Sequence, residues 1–140
     1  DSHCPYVIHY HGEIVKLSID YNQKINMVAI SSNDIIEYPQ DSPERMKELW
    51  NSLNLSFPYL FDETQQIAKK YKAECTPEFY LFNHQNKLEY RGRMDETSPG
   101  SDKLPSGKDL RMAIDNLLSN QPICKEQLPS MGCNIKWKAT

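Results

Sequence analysis

The sequence predicts an α/β fold: a three-layer α/β/α sandwich built on a mixed central sheet. Three observations lead there. Apolar residues recur at helical spacing in separate segments, with short apolar runs of strand length between them. The segment order is helix, strand, helix, strand, helix, β-hairpin, helix, and such alternation lays helices on both faces of a sheet. The 140 residues are 39% apolar and 25% charged, enough for one domain with a real core.

The first helix is predicted over 5–21, where Val7, Tyr10, Ile14, Leu17 and Tyr21 form one stripe. Residues 22–24 make a turn. The run 25–31 is short, apolar and almost continuous, as in a strand covered on both faces. Ser42 is a good N-cap with Pro43 at the first helical position, and Met46, Leu49, Trp50 and Leu53 carry that helix to about residue 54. Residues 57–61 read as a short strand, at an edge or weakly paired because of Pro58. Asp62 can cap a helix over 63–72 that faces inward through Ile67, Ala68 and Tyr71. Strands over 79–82 and 88–93 make the hairpin. Residues 94–107, rich in Ser, Pro, Gly and Asp, read as a surface loop. The last helix spans 106–120, with Leu110, Ile114, Leu117 and Leu118 facing in. Residues 1–120 are thus expected to form the domain, and 121–140 a tail packed on it through Ile135 and Trp137.

Bulk properties narrow the function. The net charge is −3 and the basic residues are scattered, so nothing favours nucleic acid. No apolar run reaches the ~20 residues of a membrane span. The four cysteines, Cys4, Cys75, Cys124 and Cys133, include no Cys-x-x-Cys pair, which argues against a ribbon-type zinc site. They are too few for a disulfide scaffold and suit thiols with individual roles. The lack of paired cysteines and of an export segment favours a cytoplasmic setting. His9 and His11 are two apart and diverge on a helix, so they make no metal pair. No cofactor or metal is expected.

Cys4 is the candidate nucleophile. It stands directly before Pro5, which suits the first helical position, so its thiol sits at a helix N-terminus. The partial positive charge there, about half an elementary charge, favours the thiolate. Such a thiolate attacks a disulfide to form a mixed disulfide, or a peroxide to form a sulfenic acid. Either product needs a resolving thiol. His3 either stabilises the thiolate and moves its proton or is an exposed residue at a helix start. Arg91 and Arg93 share one strand face; Arg93 either supports an anionic intermediate or makes a surface ion pair.

Several stretches resemble the thioredoxin superfamily, and more closely the peroxiredoxin-like branch of the alkyl hydroperoxide reductase/thiol-specific antioxidant (redoxin) group. They are His3-Cys4-Pro5-Tyr6-Val7, Ser32-Asn33-Asp34, Tyr38-Pro39 with Ser42-Pro43-Glu44, and Pro58 to Gln65. Cys75-Thr76-Pro77-Glu78-Phe79, Tyr90-Arg91-Gly92-Arg93 and the tail from Pro129 to Lys138 complete the set. The resemblance implies a thioredoxin-like fold and thiol redox or antioxidant chemistry. It implies a cis peptide bond at Pro77, in a Cys75-Thr76-Pro77 loop that faces the active-site helix. That placement makes Cys75 the preferred resolving thiol, with Cys133 on the tail as the second candidate and Cys124 a bystander. It implies a disulfide or peroxide substrate and a thioredoxin or glutathione electron donor; a homodimer is a further candidate partner. Because the active-site helix of that fold follows a central strand, we expect upstream sequence before Asp1, on the order of 20 to 50 residues.

The chain departs from the pattern in two places. Val7 stands where a dithiol thioredoxin has its second cysteine. Asp1 stands where members of this branch carry an extra cysteine and true peroxiredoxins carry a Thr or Ser, and a carboxylate there opposes the thiolate. The expected centre is therefore a monothiol. The competing expectations are a redox-inert module that binds extended peptides beside the cis-proline, and a slow peroxide sensor.

Overall fold

The computed structural model describes residues 2–139, so the reading made for Asp1 lies outside the described residues. Helix α1 runs Pro5–Asp20, followed by strand β1 (Ala29–Ser31), a 3-10 turn at Pro39–Asp41, α2 (Pro43–Ser52), β2 (Tyr59–Phe61) and α3 (Gln66–Lys70). Then come β3 (Cys75–Thr76), β4 (Phe79–Phe82), β5 (Leu88–Gly92), α4 (Lys108–Leu118) and β6 (Cys133–Asn134). Parallel and antiparallel pairing both occur, in three two-stranded ladders. β1 pairs parallel with β2 (Ala29↔Tyr59 to Ser31↔Phe61). β4 and β5 form the antiparallel hairpin, and β3 pairs antiparallel with β6 from the tail.

The core lies between α1, the hairpin and α4. Tyr10, Leu17 and Tyr21 of the predicted stripe meet Leu81, Tyr90, Met94, Leu110, Ala113 and Ile114. Burying one large apolar side chain of this kind contributes about 1.5–3 kcal/mol. The seam between α1 and α4 also carries charge. Arg111 donates to the buried Glu13 (2.7 Å) and to Asp20 (2.8 Å), with its guanidinium over the Tyr21 ring.

Four expectations are corrected. The run 25–31 is not covered on both faces: Val28 is 55% exposed and Ile30 36%, and only its last three residues pair. The helix foreseen over 63–72 is the shorter α3. The Asp62 carboxylate accepts from Ile67 N (3.3 Å) and Ala68 N (3.0 Å), which leaves a turn before the helix and Gln65 at φ 64°. Of its supposed inward residues only Ala68 is buried. The loop 94–107 is not wholly at the surface, because Met94, Asp95 and Thr97 are buried. Asp95 ties it down: Oδ1 accepts from Thr97 N, Thr97 Oγ1 and Tyr10 Oη, and Oδ2 accepts from Ser106 N and Gly107 N. Burial, more than the neighbouring Asp95 charge, pushes the Tyr10 hydroxyl up to about 12. Finally, Leu118 and Trp137 are each 44% exposed, while Ile135 is buried.

Candidate active site

The site begins at the start of α1. Cys4 is the N-cap residue in extended conformation (φ −67°, ψ 124°), and Pro5 opens the helix without needing a donor partner. Cys4 is 1% exposed. Its Sγ lies 3.4 Å from the carbonyl oxygen of Thr76, in the loop whose Thr76–Pro77 bond is cis.

The tail reaches the same point. Thr76 sits directly opposite Cys133 in the β3–β6 ladder, and Cys4 and Cys133 form a disulfide with Cα atoms 6.1 Å apart. Such an approach requires a glycine before Cys133, because a Cβ on Gly132 would overlap the Thr76 carbonyl.

Cys75, the resolving thiol preferred on the family resemblance, is not the partner of Cys4 here. Successive residues of a strand face opposite sides. Since Thr76 shares its face with Cys133, Cys75 is turned the other way, and its Sγ lies 3.5 Å from the Ser130 carbonyl. Burial first, then Glu78 and Glu74, pushes its thiol up to about 11. Cys75 and Cys124 are unpaired thiols, the latter exposed.

A polar cluster around His3 flanks Cys4, and no sequence signal marked its centre, Asp41. Asp41 is 0% exposed. Its Oδ1 accepts from Ser2 N (2.8 Å) and lies 3.2 Å from His3 Nδ1, and its Oδ2 accepts from Asn33 Nδ2 (3.0 Å). Burial alone would raise its pKa, but the bonds from Asn33 and Ser2 and the neighbouring His3 outweigh that and hold the carboxyl below its ordinary value. His3 stacks parallel to Tyr38, with centroids 6.0 Å apart. Asp41 is a surface-type residue beside a proline turn in the sequence; only the fold shows that it is buried against Ser2, His3 and Asn33.

Arg93 is held elsewhere. Its Nε donates to Asp109 of α4 (2.6 Å), while Arg91 pairs with Glu78 (3.0 Å). Among the described residues no cluster of three or more His, Cys, Asp or Glu side chains is placed to hold a metal ion. No described helix is long and apolar enough to cross a membrane.

Fold and site together define a thioredoxin-like α/β protein with a cysteine pair closed across the N-terminus of a helix. The family model described as Redoxin matches residues 1–107, and the chain belongs to that family, whose domain is associated in general with thiol-dependent redox or peroxiredoxin-like chemistry. Two solved structures are similar over nearly the whole chain. One, an uncharacterized conserved protein from Geobacillus kaustophilus, is 47% identical with a TM-score of 0.95, covering 99% of this chain and 74% of that one. The other, a hypothetical protein from Sinorhizobium meliloti 1021, is 40% identical with a TM-score of 0.94, covering 98% of this chain and 75% of that one. None of the curated proteins compared with the chain matches it. The family match stops before Cys133, so the partner of Cys4 lies outside the matched residues.

Proposed function

We propose that the protein is a thiol–disulfide oxidoreductase whose redox couple is Cys4 and Cys133. One observation carries this reading: the disulfide joins a cysteine at a helix N-terminus to a tail cysteine that the Thr76–Pro77 loop holds beside it. In the reduced protein the Cys4 thiolate attacks a substrate disulfide RSSR, forming Cys4–S–SR and releasing RS⁻. The Cys133 thiolate then attacks Cys4 Sγ, closing the Cys4–Cys133 bond and releasing the second RS⁻. With a hydroperoxide ROOH, Cys4 becomes a sulfenic acid and releases ROH, and Cys133 closes the bond with loss of water. An external dithiol, of the thioredoxin or glutathione systems, reopens the bond and is itself oxidised. The cytoplasm is the setting in which such a donor is maintained.

The helix end supports the charge on an attacking or leaving Cys4 sulfur. His3, held by Asp41, places an imidazole next to it in the chain. The test is to reduce the protein, add one equivalent of peroxide or of an oxidised small-molecule disulfide, and map peptides by mass. A Cys4–Cys133 linkage that forms, is reopened by a dithiol and re-forms supports the reading. A protein left unchanged, or oxidised only at Cys124, overturns it.

A further inference from the structure

The last described residues of the tail are gripped by two buried amide side chains. Asn33, 2% exposed, follows β1, and its Oδ1 accepts from Lys136 N (2.9 Å). Gln65, 3% exposed, precedes α3. Its Nε2 donates to Lys136 O (2.9 Å), and its Oε1 accepts from Lys138 N (3.0 Å). Asp34 N adds a bond to Lys136 O (2.8 Å). The N–H and C=O of Lys136 and the N–H of Lys138 are thus all satisfied by the body of the domain. Burying two primary amides is costly unless their hydrogen bonds are made; the tail backbone makes part of them here, while Asp41 Oδ2 accepts from Asn33 Nδ2 and Ser32 O from Gln65 Nε2. The grip begins three residues beyond Cys133, and none of it passes through sulfur.

We infer that Asn33 and Gln65 are positioning residues for Cys133, holding the tail so that its thiol stays within reach of Cys4 whether or not the disulfide is formed. Their effect on the redox couple rests on the function proposed above; the grip itself does not. A tail that swings free on reduction presents Cys133 at the low concentration of a flexible chain end, whereas a held one presents it at a high effective molarity. The energetic scale fits, since each bond of this kind contributes about 0.5–1.5 kcal/mol.

The test uses amide hydrogen exchange in a Cys133→Ser variant, where the bond cannot form. The Lys136 and Lys138 amides are expected to exchange at least tenfold more slowly than in a free chain. Gln65→Met, which keeps the volume and removes the hydrogen bonds, is expected to return Lys138 to the free-chain rate. Lys138→Pro, which removes the N–H from the tail and leaves the loops of the body untouched, serves as a second variant should Gln65→Met fail to fold. In the chain with both cysteines, Gln65→Met and Lys138→Pro are expected to lower the equilibrium constant for closing the Cys4–Cys133 bond against dithiothreitol. For Gln65→Met the loss is about tenfold, or about 30 mV. In that equilibrium two electrons and two protons pass from the two protein thiols to oxidised dithiothreitol. Free-chain exchange at Lys136 and Lys138 in the Cys133→Ser variant overturns the inference even if the disulfide cycles normally. Slow exchange there supports the grip even if no substrate ever oxidises Cys4, in which case only the functional reading fails.

Discussion

Asp41 holds His3 through a contact of 3.2 Å from a position with no solvent exposure at all. A carboxylate only accepts hydrogen bonds, so Nδ1 is the donor in this contact. The residue directly before Cys4 is thereby fixed in orientation, by Asp41 on one ring nitrogen and by Tyr38 on the ring face.

This arrangement predicts a pH-dependent cost for Asp41→Asn. A carboxyl held below its ordinary value binds fewer protons folded than unfolded. Its stabilising effect is therefore complete above the ordinary carboxyl value and is lost as pH falls through the folded one. At neutral pH the amide leaves part of the Ser2, His3 and Asn33 cluster unsatisfied, costing about 1–3 kcal/mol in urea unfolding. The gap between wild type and variant should close as the pH drops below about 4. A gap of constant size from pH 7 to pH 3 would contradict the assignment.

Cys75 should be a slow thiol. With its thiol pushed up to about 11, only a minute fraction is thiolate near neutrality, and the thiolate is the reactive form. In the oxidised protein iodoacetamide at pH 8 is expected to label the exposed Cys124 first, with Cys75 trailing by more than tenfold and catching up as the pH rises. Cys75→Ser should leave formation of the Cys4–Cys133 bond intact. Loss of that bond in the variant would return Cys75 to the redox couple.

Gly132→Ala tests the closeness of tail and loop. The new methyl group overlaps the Thr76 carbonyl, so the β3–β6 pairing must give way and Cys133 must retreat. We expect the oxidised fraction in a dithiothreitol buffer to fall at least tenfold. The core cluster between α1, the hairpin and α4 does not include this position, so unfolding of the reduced form should lose no more than the few hydrogen bonds of the β3–β6 pairing, about 0.5–1.5 kcal/mol each. Normal oxidation of the variant would mean that the tail can close without this approach.

Breaking the covalent link should cost stability as well as chemistry. The bond spans a sequence separation of 129, and a native disulfide typically contributes about 2–4 kcal/mol, largely by restricting the unfolded chain. Chemical denaturation of the oxidised protein against the Cys133→Ser variant measures it. Equal midpoints would show that the bond constrains nothing.

How much of this was legible beforehand depended on whether the signal was local. The stripe Tyr10, Leu17, Tyr21, the Ser42–Pro43 helix start and the hairpin over Phe79–Phe82 and Leu88–Gly92 are short-range patterns, and the structure has them where the spacing put them. Cys4 before Pro5 is likewise a local signature of a helix end. The choice between Cys75 and Cys133 was not local. It turns on which face of a two-residue strand each side chain occupies, and that is set by pairing with a tail more than fifty residues away. Asp41 was missed, and Gln65 was read only as the end of a resembling stretch and given no role, for a related reason. Charged and amide residues in loops usually face water, and only the tertiary arrangement of Ser2, His3, Asn33 and Lys136 reveals what satisfies them.

The Cys4–Cys133 link also changes what the polypeptide is as a mechanical object. Oxidised, it is a ring closed by one sulfur bridge, and a load applied outside the ring passes through that bridge instead of through the fold. A separation of 129 residues corresponds to about 450 Å of extended backbone. That contour is locked away in the oxidised molecule and becomes available for stretching or for threading through an unfolding pore once the bridge is reduced.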